Sequence, residues 1–297
     1  MRFQRLATLV AATALVLTAA ACGSDSDNQD DAANGDIVTS PSFAAGSTME
    51  RLSKAGTVKI GTKFDQPGFG LKGLDGKPAG FDVEIGKIIA GKLGIAPEKI
   101  EWVEAPSRVR EEYIEQNKVD FVVATYTIND ARKQRVDFAG PYYEAGQAIM
   151  VRKDDSAITG PDSFKDGTKK VCSVTGSTPS VEIKKYLKDE PSQLVLFDTY
   201  DKCRDALKSK QVDAVTTDNV ILLGYIARDE TSFKLAGEKF TKEPYGIGVK
   251  KGDTAFRNFI NDTLEEANSD GKYEKAWKDT AGKFAPDVPS LPTPNRY

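Results

Sequence analysis

The 297-residue chain contains no histidine. That absence excludes Ser-His-Asp and Cys-His nucleophilic catalysis, the usual zinc sites and a histidine pH switch. Cysteine is scarce, at three residues, and no Cys-x-x-Cys pair occurs. Nor is there a Gly-x-x-x-x-Gly-Lys-Ser/Thr run. Neither a metal nor a nucleotide site is therefore expected, and no cofactor. An excess of one charge is missing too, since 41 Lys and Arg face 44 Asp and Glu for a net charge of −3. Such balance offers no nucleic-acid surface and no polybasic membrane patch. What is present is 39% hydrophobic and 29% charged, with regular Gly and Pro punctuation. That is the composition of a soluble globular chain with an ample core, and the length predicts about two domains.

The first 22 residues differ from the rest. Arg2 and Arg5 open the chain, Leu6 to Ala21 carries no charge, and Ala19-Ala20-Ala21 precede Cys22. This order predicts a secretory signal. A transmembrane anchor is disfavoured, because the apolar run is shorter than about 18 residues and no second span follows. A cysteine directly after small residues resembles a bacterial lipoprotein signal, although Ala19 stands where such signals usually carry leucine. On that resemblance residues 1–22 end in a lipidated, palmitate-bearing Cys22, and 23–49, rich in Ser, Asp, Asn, Gly and Ala, are a flexible tether. Residues 286–297, with Pro286, Pro289, Pro292 and Pro294, read as an extended tail. In an exported chain the remaining pair, Cys172 and Cys203, is a disulfide candidate, worth about 3 kcal/mol in the chain-entropy model.

Between tether and tail, β-rich runs alternate with amphipathic ones. Thr57–Thr62, Ile100–Glu104, Val119–Thr125, Lys170–Thr175, Leu194–Phe197 and Asp213–Thr217 predict strands. Phe81–Leu93, Arg108–Gln116, Pro179–Lys188, Lys202–Lys210, Asn219–Arg228 and Thr254–Asn268 predict helices. The alternation argues for an α/β fold with parallel sheets covered by helices. Ser107–Thr125 and Tyr200–Asp218 echo one another, each with a helix, a polar corner, Val-Asp and a short β-run. Two similar lobes would explain the echo. Thr125 and Asp218 would then lie beyond the carboxyl ends of their strands, where open α/β sheets bind ligands.

The run Gly80-Phe81-Asp82-Val83-Glu84-Ile85, followed by Ile89-Ala90 and Leu93, carries a helical apolar stripe with two acids in its first turn. It also resembles the signature of family 3 extracellular solute-binding proteins, the amino-acid receptors of ABC importers. The resemblance continues through Val119–Lys133, Arg135-Val136-Asp137-Phe138, Pro141-Tyr142-Tyr143, Asp213–Asp218 and Pro244–Val249, and covers about Gly56 to Phe284. It implies a two-lobed fold of the periplasmic-binding-protein type (type II), closing on its ligand like a hinge. Lobe 1 would comprise 50–145 and 246–285, and lobe 2 146–245, with crossings near Ala145–Val151 and Thr241–Gly246. Pro141, Tyr142 and Tyr143 fit hinge packing better than ligand stacking.

The same resemblance implies site residues. Arg132 would grip the ligand α-carboxylate, for which a guanidinium fork is suited. Thr125 and Thr127 match positions that meet the α-amino and α-carboxylate groups. Asp218 would balance the ligand ammonium, or cap the following helix, or both. Ser177 and Thr178, opening a helix before Pro179, would offer backbone amides to the α-carboxylate. Lys63, Ser107 and Arg108 stand where the family contacts the ligand side chain, and Thr217 could touch a side-chain carboxylate. A buried second carboxylate needs a further cation, so these residues favour glutamate, with aspartate close behind. The sequence also looks like actinobacterial glutamate-receptor lipoproteins. The expected protein is a non-enzymatic monomer, lipid-anchored outside the cell membrane, that hands its ligand to the permease of an ABC importer. Receptors for glutamine or another polar amino acid, a cyclic amino-acid dehydratase and a sensory input module are the alternatives.

Overall fold

The computed structural model describes residues 37–297, so the expected signal, Cys22 and most of the tether lie outside the described residues. The strands used below are β1 (Val58–Thr62), β2 (Ile100–Glu104), β3 (Phe121–Val122), β4 (Val136–Ala145), β5 (Gln147–Arg152), β6 (Val171–Val174), β7 (Leu194–Phe197), β8 (Ala214–Asp218), β9 (Phe233–Ala236) and β10 (Glu243–Lys250). They form two five-stranded sheets, in the orders β2-β1-β3-β10-β4 and β7-β6-β8-β5-β9. In the first, β1 lies parallel to β2 and β3 while β10 runs antiparallel to β3 and β4. In the second, β6 lies parallel to β7 and β8 while β5 runs antiparallel to β8 and β9.

Each sheet is the centre of one lobe. Gly146 alone separates β4 from β5, and Glu243 of β10 pairs with Ala145 of β4. The two connections therefore run side by side, and lobe 1 is assembled from two segments of chain. Strand β8 is buried along its whole length, as expected where helices cover both faces of a sheet. The helix Phe81–Lys92 buries Phe81, Val83, Ile85 and Ile89 in lobe 1. Where β4 and β10 leave for lobe 2, Tyr143 stacks on Trp277 at 5.1 Å, and Tyr142 and Tyr245 pack at 6.1 Å. These tyrosines belong to the main hydrophobic core of lobe 1.

Several elements differ from the pattern-based expectation. Val119–Thr125 shortens to Phe121–Val122, because the chain turns at Thr125 into the left-handed region at φ 44°. Arg108–Gln116 begins as a 3-10 turn over Ser107–Val109, and its α-helix starts only at Arg110. The tether does not run to residue 49. Phe43 packs edge-on against Phe259, and a helix begins at Thr48 with Met49 buried. The last residues are anchored as well. The Asn295 amide donates to the Gly140 carbonyl, and the Tyr297 ring lies 4.2 Å from the Arg257 guanidinium. Cys172 and Cys203 are joined as a disulfide between β6 and the helix Tyr200–Lys208.

Candidate functional site

Between the lobes lies a narrow cavity of about 10 Å³, lined by residues of both. Lobe 1 contributes Gln66, Ser107, Arg110, Thr125 and Thr127 to its wall. Ser177, Thr178, Tyr200, Thr217 and Asp218 face them from lobe 2.

The lobe 1 wall is built around a strained residue. Thr125 holds a positive φ, which costs a β-branched residue free energy unless its surroundings fix it. Asp82 supplies that restraint from the first turn of the signature helix. Its Oδ2 accepts from the Thr125 amide at 2.7 Å, and its Oδ1 from the Tyr142 hydroxyl at 2.6 Å. Burial pushes this carboxyl up to about 7. The acid in the signature thus holds the cavity-facing loop, beyond any favourable placement in its own helix. The Thr125 hydroxyl in turn donates towards two acceptors, the Ala124 carbonyl at 2.8 Å and Gln66 Oε1 at 3.0 Å.

Two cations border this wall. Lys63 is buried and donates to Ser107 Oγ at 2.8 Å. Burial, with Arg110 adding repulsion, presses its ammonium down to about 7. The Arg110 guanidinium lies 4.1 Å from the Tyr126 ring centroid and donates to the Ala124 carbonyl at 2.9 Å. Its Nε is buried without a hydrogen-bond partner among the described residues. Arg108, the cation expected here, is half-exposed and lies 3.4 Å from Asp198 of lobe 2. The late start of the helix turns Arg108 outward and presents Arg110 in its place.

Arg132 sits at the edge of the cavity, where it spans the two lobes. Nη1 donates to the Thr127 carbonyl at 2.7 Å, Nη2 to the Gly176 carbonyl at 3.0 Å, and Nε lies 3.2 Å from Glu111. Opposite it, Ser177 caps the helix Thr178–Glu182 by accepting from the Ser180 amide at 3.1 Å. Thr178 Oγ1 lies 3.1 Å from Thr127 Oγ1 and donates to Glu243 Oε2 at 2.8 Å. Asp218 occupies the N-cap position of Asn219–Arg228, yet its side chain makes no capping bond. Instead Oδ2 accepts from the Tyr245 hydroxyl at 2.6 Å, while Oδ1 is buried without a partner among the described residues. Burial, reinforced by Glu243, pushes Asp218 up to about 7. Thr217 Oγ1 and Gln66 Nε2 are likewise buried and unpartnered.

The lobes also touch directly beside the cavity. Asp65 Oδ2 accepts from the Tyr200 amide at 2.8 Å, and the Tyr225 hydroxyl donates to the Asp65 carbonyl at 2.6 Å. Ser107, Thr125, Thr127, Ser177, Thr178, Thr217 and Asp218 are thus brought together around one cavity, Lys63 and Arg132 border it, and Arg108 is left outside. Sequence reasoning missed Gln66, Arg110 and Tyr200. The internal echo held a clue to the last, since Tyr200 opens the segment matched to Ser107.

A site with buried charges of both signs and several unpartnered polar atoms is chemically suited to a zwitterion. Residues 58–280 match the family described as bacterial extracellular solute-binding proteins, family 3. The glutamate-binding protein GluB of Corynebacterium efficiens is 38% identical over 291 residues, spanning 95% of this chain and 92% of its own length. The ABC transporter glutamine-binding protein GlnH of Bacillus subtilis is 36% identical over 264 residues, spanning 89% of this chain and 92% of its own. Among solved structures, an ancestral arginine-binding protein bound to arginine is similar with a TM-score of 0.71 and 39% identity, over 76% of this chain and 98% of that one.

Proposed function

Because the chain belongs to family 3 of the bacterial extracellular solute-binding proteins, we propose that it captures L-glutamate in its cleft and delivers it to the permease of an ABC importer. One observation carries the choice of an acidic ligand. Lys63 and Arg110 are buried cations at or beside the lobe 1 wall of the cavity, in addition to Arg132, and the lobe 2 wall holds the unpartnered Asp218 oxygen. Glutamate brings two carboxylates and one ammonium, which would pair these groups; glutamine brings one carboxylate fewer and leaves a buried cation unbalanced.

In this reading Asp218 takes the ligand ammonium, with Thr125 and Thr127 beside it. Arg132 exchanges the Gly176 carbonyl for the α-carboxylate, helped by Ser177 and Thr178. Lys63, Ser107, Arg110 and Thr217 receive the side-chain carboxylate. Closure is a two-state equilibrium, and a ligand that bridges the lobes shifts it by its greater affinity for the closed form. The protein acts as a monomeric, non-enzymatic receptor, held outside the cell membrane by a lipid on Cys22. Aspartate is the next candidate. Glutamine is the second reading, favoured by the similarity to GlnH.

Calorimetric titration of the chain from Gly23 with glutamate, aspartate, glutamine, asparagine and arginine tests the proposal. Glutamate is expected to bind most tightly. Lys63→Met should weaken glutamate by about tenfold or more and glutamine much less. Preference for glutamine, or equal losses in the variant, would refute the acidic assignment.

A further inference from the structure

Gln66 is fully buried in the cavity wall, and its backbone is pinned. It lies in the short strand Asp65–Gln66, paired in register with Gly70, and its carbonyl accepts from the Phe69 amide at 3.2 Å. The preceding residue is tied to lobe 2 through Tyr200 and Tyr225. The side chain is aimed as firmly. Tyr142 donates to Asp82, Asp82 fixes the Thr125 amide, and the Thr125 hydroxyl shares its one hydrogen between the Ala124 carbonyl at 2.8 Å and Gln66 Oε1 at 3.0 Å. With its oxygen so engaged, the amide turns Nε2 away from Thr125, and that nitrogen has no partner among the described residues. A buried amide nitrogen left unpaired is costly, so a partner is expected to come from what fills the cavity.

We infer that the Gln66 side-chain amide donates to the side-chain acid group of the bound amino acid and sets the discrimination between that acid and its amide. An amide nitrogen is donor-only, as is the Lys63 ammonium on the same lobe. Two donors on one lobe, Gln66 in the cavity wall and Lys63 behind Ser107, are both satisfied by a group that offers only acceptor oxygens, as a carboxylate does. A ligand amide can satisfy one of them with its oxygen, but then sets its own NH2 against the other. Gln66 is therefore a specificity-determining residue, oriented by the Tyr142–Asp82–Thr125 chain. The inference rests on the reading of the ligand as an acidic amino acid.

Gln66→Leu and Gln66→Glu test it, each titrated with glutamate and with glutamine after thermal unfolding has shown a cooperative transition. Gln66→Leu removes the donor at similar volume. It should weaken glutamate by about tenfold to a hundredfold, and glutamine by about threefold or less. Gln66→Glu places an acceptor against the ligand carboxylate and should reverse the order, so that glutamine binds more tightly than glutamate. Equal losses for both ligands in Gln66→Leu, or unchanged glutamate affinity in Gln66→Glu, would overturn the inference. If Gln66→Glu fails to fold, the Gln66→Leu ratio decides alone. A wild-type protein that prefers glutamine would instead remove the reading on which the inference rests.

Discussion

Gly224 separates the stability of the fold from the closing of the cleft. It lies within the lobe 2 helix Asn219–Arg228, and a Cβ built on it would meet the Pro67 carbonyl oxygen of lobe 1 at 2.5 Å. That oxygen belongs to main chain, flanked by the Asp65 contacts to Tyr200 and Tyr225, so no side-chain rotation relieves the collision. Gly224→Ala should then act in opposite directions on two measurements. In the helix alanine is favoured over glycine by about 0.8–1.0 kcal/mol, a gain made whether or not the lobes meet. In the closed form the added methyl overpacks a backbone contact, at about 1–3 kcal/mol. Gly224 is not among the residues lining the cavity, so the penalty should fall alike on each ligand. Glutamate and glutamine should both lose about fivefold to 150-fold in affinity by calorimetry, with their ratio kept. The thermal midpoint of the ligand-free protein should hold or rise. Unchanged affinity would refute the reasoning, because it would mean that the bound lobes do not approach as closely as Gly224 and Pro67 do here.

Three further outcomes are expected. Asp218, raised by burial to about 7, would be drawn down by a ligand ammonium, so affinity is full above that pH and weakens as pH falls through it. Lys63, lowered to about 7, would be drawn up by a carboxylate, so affinity is full below that pH and weakens as pH rises. Together they give a maximum near neutrality, with losses approaching about tenfold per pH unit on either side; a flat profile from about pH 6 to about pH 8 would exclude both assignments. Arg132→Lys keeps the charge but removes the fork that spans Thr127 and Gly176, and should cost about tenfold or more in affinity for every amino acid bound. Replacing both Cys172 and Cys203 by alanine should lower unfolding free energy by about 3 kcal/mol in denaturant titration, and an unchanged midpoint would show that the bridge does not constrain the unfolded chain.

Much of the scaffold was legible because its signals are periodic and local. Alternating strand and helix runs located both sheets, and the echo around Val-Asp placed Thr125 and Asp218 on opposite walls of one cavity. The N-terminal helix carries a local signal too. Ser47 and Glu50 have capping-box spacing, and Ser47 Oγ does accept from the Glu50 amide at 3.1 Å. What stayed hidden depends on phase and on distant partners. Arg108 and Arg110 differ by about 200° round a helix, so locating its first turn decides which of them faces the cleft. Asp82 reads as a helix-start acid until the fold brings the Thr125 amide to it. Gln66 carries no pattern; its significance lies in an unpaired nitrogen and in a hydroxyl from Thr125, 59 positions away.

The interrupted order of the first lobe also bears on how the chain acquires its shape. Strand β10 lies between β3 and β4, yet it follows the whole of lobe 2 in sequence. A chain that emerges from its N-terminus therefore presents β1 to β4 with a central position in their sheet unfilled, while β5 to β9 form a contiguous segment that can pair without waiting. Cys172 and Cys203 lie within that segment, so its bridge can close before the first lobe is complete. Unpaired strand edges invite association between chains. The hazard is then greatest after lobe 2 has formed and before Glu243–Lys250 docks. Lesions in β10, or in the anchor of Asn295 on Gly140, should show themselves in yield and aggregation during refolding more than in the affinity of molecules that succeed.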